Sequence, residues 1–595
     1  MIQLNEQQKA AVNRSGNVVV TACPGSGKTR VLTCRVIRGL EELTSPKHRV
    51  IALTFTNRAS DEIQSRLDQL AVAQDQLWAG TIHAFALEWI LRPYAPYVPR
   101  LQKGFSIADE FFSERILNEL KDQFDVPRHF DVNTARDRTG HVTNVDPVAS
   151  AIFQAYQDRL QENKLLDYDD VLYHGYKLLV DIPEIPQTLA TIIRLLCVDE
   201  IQDTQDFQYG ILSAIVRASS DTPTFFFVGD PDQSIYESLG AVTKTADEIV
   251  EEFGVESIEQ LGLTGNYRST QRIIGLYQCF RPANPPIRSL TSYATERGIV
   301  TFHDQTVARD DLAAMIARHI RESVASGISP SEICVLAPHW WHVRALGRSL
   351  VEILPDIDFD APGLSPLHCQ RENFWFKVAR LFLTTPIPTL YRTRLRWARE
   401  VIQDLEQVYE FGLPEIFQKP RALLRLVNSI TSSADDGLDF LTEVFDAIMN
   451  VLRVDVGSND ALSESRELFF EKARARIDDI GGNVPTDVRS FKKLFKHPSG
   501  VVISTCHGVK GEEYDTVIAF GLLRGYIPNW QVIIHGDADT AEDRASKLLY
   551  VVCSRAKRRL HLIAESGRFT QTGNPYQTAT LLRSVEFDYD ATPGT

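Results

Sequence analysis

Val18-Val19-Val20 runs into Ala22-Cys23-Pro24-Gly25-Ser26-Gly27-Lys28-Thr29 and then into a helical pattern. This order commits the start of the chain to a strand, a tight phosphate-binding turn and a helix. The glycines let backbone N–H groups converge on an anion, and the helix N-terminus adds a favourable dipole. Lys28 is expected to reach the β- and γ-phosphates of a nucleoside triphosphate, and the Thr29 hydroxyl to ligate Mg²⁺. Ala22 stands where the usual pattern has its first glycine and is small enough to keep the turn.

Such a turn needs a parallel sheet behind it. Strand-like runs at Val18–Val20, Val50–Thr54, Leu195–Val198 and Phe225–Val228 alternate with amphipathic helical stretches, the pattern of a parallel sheet covered by helices. At 595 residues the chain exceeds what one hydrophobic core supports, so roughly four packed units are expected. After the proline-rich passage Arg281–Pro286 a second series follows, at Ile299–Phe302, Ile333–Leu336, Val501–Ser504, Val517–Phe520 and Leu562–Ala564. The expected fold class is α/β, with two parallel-sheet domains that each carry a mostly helical insertion. The first domain takes residues 1–86 and 193–262, with its insertion at 87–192. The second takes 263–390 and 486–595, with its insertion at 391–485.

Parallel sheets bind ligands at the carboxyl ends of their strands. Leu195–Val198 ends in Asp199-Glu200-Ile201-Gln202-Asp203, which offers Asp199 to hold Mg²⁺ and Glu200 to orient and deprotonate an attacking water. Phe225–Val228 ends in Gly229-Asp230-Pro231-Asp232-Gln233, so Gln233 can sense a γ-phosphate. Gln8, within Leu4-Asn5-Glu6-Gln7-Gln8, has the amide that pairs with adenine N6 and N7, which points to ATP.

Net charge of −15 argues against a nonspecific polyanion binder and demands that any nucleic-acid groove be locally basic. The basic, aromatic stretches Tyr391–Trp397 and Arg489–Lys496 read more readily as solvated helix faces than as such a groove. The eight cysteines are scattered without metal-ligand spacing, no apolar run is long enough to span a membrane, and Met1–Glu6 lacks the pattern of a secretion signal. These features predict a cytoplasmic protein with reduced thiols and no membrane partner.

The ordered motifs resemble the UvrD/Rep/PcrA branch of superfamily 1 helicases. Beyond the segments above, the resemblance rests on Ala52–Ala59, Gly80–Phe85, Leu166–Asp170, Leu263–Ser269, Thr505–Tyr514 and Tyr550–Lys557. It implies RecA-like motor domains with ATP between them. Arg268 and Arg555 would reach the γ-phosphate as arginine fingers, Arg30 and Tyr267 would sandwich the adenine, and Glu513 would meet the ribose. It also implies single-stranded or 3′-tailed DNA as partner and 3′-to-5′ polarity. Phe55 and Tyr236 are the stacking candidates; Thr56, Asn57, His83, His507 and Lys510 complete the DNA-contact set.

Several positions depart from the family pattern. Glu237-Ser238-Leu239 replaces an aromatic and an arginine, Ala337-Pro338-His339-Trp340 followed by Trp341 replaces Tyr-Arg-Thr-Asn, Glu512 replaces a leucine, and Arg544-Ala545-Ser546-Lys547 replaces an acidic-arginine run. The two tryptophans either pack against the sheet or supply a stacking surface. These departures motivate a second expectation: a nucleotide-gated regulatory subunit of a partner nuclease, as in a Gabija-like antiphage complex, without productive unwinding.

Overall fold

A computed structural model describes residues 3–591 apart from 71, 109, 143, 145, 220–222, 238–239, 284, 362–364, 368, 371–372, 481–484 and 497–498. Its first sheet contains β1 (Val18–Ala22), β2 (Arg49–Thr54), β3 (Leu77–Thr81), β4 (Ile193–Asp199), β5 (Thr224–Gly229) and β6 (Glu259–Leu263). They are all parallel, in the order β3-β2-β4-β5-β1-β6. The central strands read as near-continuous apolar runs because both faces are covered. Phe225 and Phe227 stack at 4.4 Å on one face with Phe253, while Phe226 enters the core on the other. This order makes β4, β5 and β1 neighbours, so the three segments expected to carry chemistry leave the sheet side by side.

The second sheet contains β7 (Ile299–Ala308), β8 (Ile333–Ala337), β9 (Phe359–Asp360), β10 (Val501–Thr505), β11 (Tyr514–Ala519) and β12 (Ala556–Ser566). It too is parallel, in the order β7-β12-β11-β8-β10-β9. Two hydrophobic clusters, one holding Ile273, Leu549 and Leu560 and the other Ile316, Val343 and Ile563, fill its environment. Strands β3, β6 and β9 were not legible in sequence. Leu77-Trp78-Ala79-Gly80-Thr81 and Glu259-Gln260-Leu261-Gly262-Leu263 are edge strands that mix polar residues and glycine, and β9 is only two residues long.

The helices of the first insertion divide between two cores, and those of the second share theirs with flanking helices. In the first, helices Glu110–Gln123 and Pro147–Glu162 build a small core from Ile116, Leu120, Ile152, Tyr156 and Leu160. Helices Tyr168–Asp181 and Glu184–Ile192 instead pack Val171, Leu178 and Leu189 into the core beneath the first sheet. In the second, helix Phe374–Leu383 supplies Trp375, Val378 and Leu381, and helix Val488–Lys493 supplies Phe491, to the core that also holds Val401 and Phe445. An apolar helix face announces burial but not which core it fills, so core membership is settled only by the packing.

The basic stretches serve packing and domain contact. On helix Tyr391–Gln403, Arg392 pairs with Asp68 at 2.6 Å and Arg396 with Asp61 at 2.8 Å, both on helix Asn57–Gln69 of the first domain. Arg394 is buried and donates to the Leu381 carbonyl at 2.9 Å. The face expected to be solvated is therefore a docking face between the helical unit and the first sheet domain.

Three histidines are buried together in the second domain. His303 on β7, His561 on β12 and His319 on helix Leu312–Ala325 bring their rings within 6.1 Å, with His319 and His561 stacked at 3.9 Å. Burial, with His303 and Arg318 adding to it, pulls the His319 pKa down to about 4, and His303 and His561 shift the same way. An unfolded histidine titrates near ~6.5, so the unfolded chain binds more protons as pH falls below that value. Stability is accordingly expected to be flat above neutrality and to fall as pH drops from ~6.5 towards ~4, measured as a melting temperature. His319→Phe, which keeps a ring in the stack, should reduce the fall; an unchanged acid profile would place the sensitivity elsewhere.

Candidate nucleotide site and nucleic-acid face

The turn after β1 uses glycine where the backbone requires it. Gly25 and Gly27 lie at φ of 68° and 80°, in the left-handed region, and a Cβ on Gly25 would sit 2.7 Å from the Arg268 Cβ. Helix Lys28–Glu41 starts immediately after Gly27. Gln8 is buried against the turn: its Nε2 donates to the Ser26 carbonyl at 2.8 Å, and its Oε1 accepts from the Asn5 N–H at 3.0 Å in a capping box on helix Glu6–Asn13. Each amide atom thus keeps one unused hydrogen-bonding position, and the residue also braces the loop, a duty the sequence did not reveal. Arg30 is exposed, and Tyr267 is half-exposed with its hydroxyl accepting from Asn5 Nδ2 at 2.7 Å.

At the ends of β1 and β4, Thr29 Oγ1 donates to Asp199 Oδ2 at 3.4 Å, and Lys28 Nζ lies 3.6 Å from Glu200 Oε2. Burial and the adjacent Glu200 push the Asp199 carboxyl up against the pull of Lys28. Burial would raise Glu200 as well, but Lys28 and Lys510, with a hydrogen bond from Gln202, outweigh it and hold this carboxyl well below the usual range. Glu200 adopts φ 53°, ψ 48°, a left-handed conformation that costs a non-glycine residue on the order of 1 kcal/mol and aims the side chain away from the strand. Gln202, which the sequence reading did not single out, fixes it: Nε2 donates to Glu200 Oε2 at 2.6 Å and Oε1 accepts from the Asp230 N–H at 3.0 Å.

The second domain closes directly onto these groups. Gln233 Nε2 donates to Asp230 Oδ2 at 2.6 Å, and its Oε1 accepts from Arg555 Nη2 at 2.7 Å. Arg555 is buried and also donates to the carbonyls of Val551 and Glu512. Burial and the neighbouring Arg268 lower its pKa to about 9, which leaves it cationic at neutral pH. Arg268 donates to Glu513 Oε2 and to the Ser554 carbonyl, each at 2.9 Å. Glu513, expected at the ribose, here pairs with Arg268 and, at 3.5 Å, with Lys557. Asn266, also missed in sequence, links the halves: Nδ2 donates to the Pro24 carbonyl at 2.6 Å while Oδ1 accepts from the Arg268 and Ser269 N–H groups. The Tyr267 N–H donates to the Gly25 carbonyl at 2.8 Å.

The expected DNA contacts fall into two groups. Phe55 and Tyr236 stack on one another at 4.8 Å, and the Tyr236 hydroxyl donates to the His507 carbonyl at 3.1 Å. Thr56 caps helix Asn57–Gln69 through the Ala59 N–H, and both Thr56 and Asn57 are exposed. His83 is half-buried and edge-on to Tyr168, and burial lowers its pKa to about 4. A cavity of about 150 Å³ lined by Thr54, Phe55, His83, Glu200 and Gln205 joins this region to the nucleotide side. Lys510 departs from the expectation. It is buried, with Nζ 2.6 Å from Asp203 Oδ2 and close to the Gln233 carbonyl, so it faces the junction and not an open groove. The buried Asp203 carboxylate and the second domain's need to dock there supply the reason.

Family models match both halves of the chain: the UvrD/REP helicase N-terminal domain at residues 4–254 and the UvrD-like helicase C-terminal domain at residues 488–567. The chain belongs to the UvrD/Rep helicase family. Among similar proteins, the ATP-dependent DNA helicase PcrA of Leuconostoc citreum is 25% identical, across 96% of this chain and 83% of that protein. PcrA of Staphylococcus aureus is 26% identical across 95% and 83%, and the putative ATP-dependent DNA helicase YjcD of Bacillus subtilis 23% across 96% and 79%.

Against that family background, the positions that depart from its pattern meet one another in space. Glu237 accepts from Lys547 at 2.7 Å and from Arg544 at 3.2 Å, across the junction between the sheet domains, and Glu512 pairs with Arg58 across the same junction. Arg281 adds a bridge from Asp232 to Asp543. Ser238 and Leu239 lie outside the described residues. Three sets of ion pairs therefore span the junction between the sheet domains of this UvrD/Rep-family chain. Glu237→Gln should weaken closure by roughly 0.5–1 kcal/mol, about a two- to fivefold fall in the closed-to-open ratio. Fluorescence energy transfer between labels on the two sheet domains would report it, and raising salt towards ~1 M should act in the same direction. A closed fraction indifferent to both would show that the apolar and hydrogen-bonded contacts alone hold the junction.

Proposed function

We propose that this chain is an ATP- and Mg²⁺-dependent motor that moves 3′-to-5′ along single-stranded DNA and displaces the complementary strand from 3′-tailed duplexes. The observation that carries this reading is the 2.7 Å hydrogen bond from Arg555 of the second domain to Gln233 of the first. A γ-phosphate placed beside Gln233 would lie within reach of the cations of both domains, so nucleotide state and domain closure become one variable. The polarity rests on family resemblance.

The chain's own residues divide the work. Residues 22–29 cradle the phosphates, with Lys28 as their cation. Thr29 and Asp199 are hard oxygen donors already in contact, the set that suits Mg²⁺, and burial beside Glu200 outweighs the nearby Lys28 cation in raising the Asp199 carboxyl. The ion, when bound, neutralises charge on the β- and γ-oxygens. Glu200 orients and deprotonates the attacking water. Drawing Lys28 to the phosphates takes a cation from beside Glu200, which raises its basicity when substrate is present. Arg268 and Arg555 spread the charge that develops during transfer, Gln202 and Asn266 position Glu200 and Arg268, and Gln8, Arg30, Tyr267 and Glu513 surround the nucleoside. On the DNA side a base enters by parting Phe55 from Tyr236, with Thr56, Asn57, His83 and His507 along the strand.

No described helix is long and apolar enough to cross a membrane, and the reading places the protein with DNA in the cytoplasm, in repair, recombination or phage defence. The ion-paired junction favours one alternative, a nucleotide-gated regulatory subunit of a partner nuclease whose closed state is its resting state. Steady-state ATP hydrolysis with and without single-stranded DNA separates the two. Strong DNA stimulation with strand displacement marks a motor, and slow hydrolysis indifferent to DNA marks the regulator. In either case Lys28→Ala should lose nucleotide binding, and Glu200→Gln should bind ATP but turn over at least ~10²-fold more slowly. Near-normal hydrolysis by Glu200→Gln would overturn the assignment of the base.

A further inference from the structure

Strand β8 ends at Ala337, which pairs in register with Thr505 at the end of β10. Two residues beyond each strand end stand His339 and His507, which therefore leave the same sheet edge side by side, near enough to influence each other's charge. The Cys506 N–H ties the two segments by donating to the Ala337 carbonyl at 3.0 Å. From His507 the aromatic contacts run towards the first domain: Tyr236 lies 6.0 Å away, and Phe55 stacks on Tyr236. From His339 they run the other way. Trp341 lies parallel to the His339 ring at 4.3 Å with an interplanar angle of 10°, and Tyr526 meets the same ring edge-on at 5.2 Å. Phe55, Tyr236 and His507 form one aromatic cluster and His339, Trp341 and Tyr526 a second, on neighbouring segments that leave the same sheet edge.

Trp341 is the open member of the second cluster. Trp340 turns into the core beside Val343 and Ile333, whereas Trp341 leaves 60% of its surface exposed. Its support is built: His339 heads helix Trp340–Ile353, and Tyr526 packs in turn against His342 at 4.8 Å and Tyr576 at 4.7 Å. Burial and the proximity of His507 shift the His339 pKa down, which favours the neutral ring behind Trp341. A large flat ring braced on one face and open to solvent, beside the carboxyl ends of the strands of a parallel sheet, has the shape and chemistry to receive a nucleobase.

We propose that Trp341, backed by His339, is the base-stacking platform of the second sheet domain for single-stranded DNA. The assignment rests on the motor reading above and deepens it. It gives the second domain an aromatic grip of its own, independent of the Phe55–Tyr236 pair, in a chain whose Glu237 has been drawn into the domain junction. A protein partner seated on the same ring is the competing occupant.

The test is equilibrium binding of the full chain to a short oligothymidylate and to an abasic phosphodiester strand of equal length, for the wild type, Trp341→Ala and Trp341→Phe, with melting temperatures to verify folding. Trp341→Ala should weaken oligothymidylate binding about 5- to 150-fold, the equivalent of roughly 1–3 kcal/mol for one base on an aromatic ring. Trp341→Phe should recover most of that loss, and the abasic strand should bind all three proteins alike. Equal binding of oligothymidylate by wild type and Trp341→Ala would overturn the platform while leaving DNA binding intact, and would point to a protein occupant. Equal weakening on both strands would overturn stacking as the cause. A wild type that binds neither strand would remove the motor reading and the platform with it.

Discussion

Buried charge at the junction of the two sheets is the constraint around which the molecule is organised. Lys28, Lys510, Arg268 and Arg555 meet Asp199, Glu200, Asp203, Asp230 and Glu513 in a region largely withdrawn from water, contributed from both domains. Unpaired, each such charge costs several kcal/mol, so the domains must either close on one another or bring in solvent or a ligand to compensate. Two of the cations reach across the junction, Lys510 to Asp203 and Arg555 to the Gln233 amide, while Lys28 faces Glu200 and Arg268 pairs with Glu513 within their own domains. A polyanionic nucleotide with its cation would redistribute the same contacts. In the proposed motor, that exchange of partners would couple nucleotide state to domain position.

Closure also brings the nucleic-acid side into the same system. The cavity that reaches Glu200 is lined by Phe55 and His83, while Lys510 lies 4.9 Å from the Tyr236 ring and binds Asp203. Movement of one domain against the other must therefore disturb the aromatic cluster of Phe55, Tyr236 and His507. The positions where this chain departs from the family pattern add to closure instead of weakening it. Glu237 and Glu512 are each answered by a cation across the junction, from Lys547 and Arg544 and from Arg58. Substitutions that look like losses of DNA contact when read one at a time become exchanges of contact when read as pairs.

Much of this was legible in the sequence, and the limits have physical causes. Central strands such as Phe225–Val228 show themselves because burial on both faces demands an unbroken apolar run; edge strands such as Glu259–Leu263, half-solvated, leave no such mark. The phosphate turn and the strand-end acids are local arrangements and can be read locally. Lys510 could not be: its motif says only that a cation is present, and whether it meets DNA or Asp203 depends on how the domains dock. Gln202 and Asn266 share this obscurity, since an amide has no charge or periodicity to reveal that it braces Glu200 or joins Pro24 to Arg268. The basic helix Tyr391–Gln403 likewise found its counter-charges on another domain.

By itself the sequence determined the α/β class and the two parallel sheets with helical units between their strands, and it located the glycine-rich turn and the strand-end acids that the sheet order brings side by side, because these follow from periodicity and from motifs contained within a few turns of chain. Only the tertiary structure decided which charges pair across the junction, which tryptophan faces solvent and which core claims each apolar helix. Those outcomes depend on long-range docking, where the energy of a side chain is set by residues hundreds of positions away.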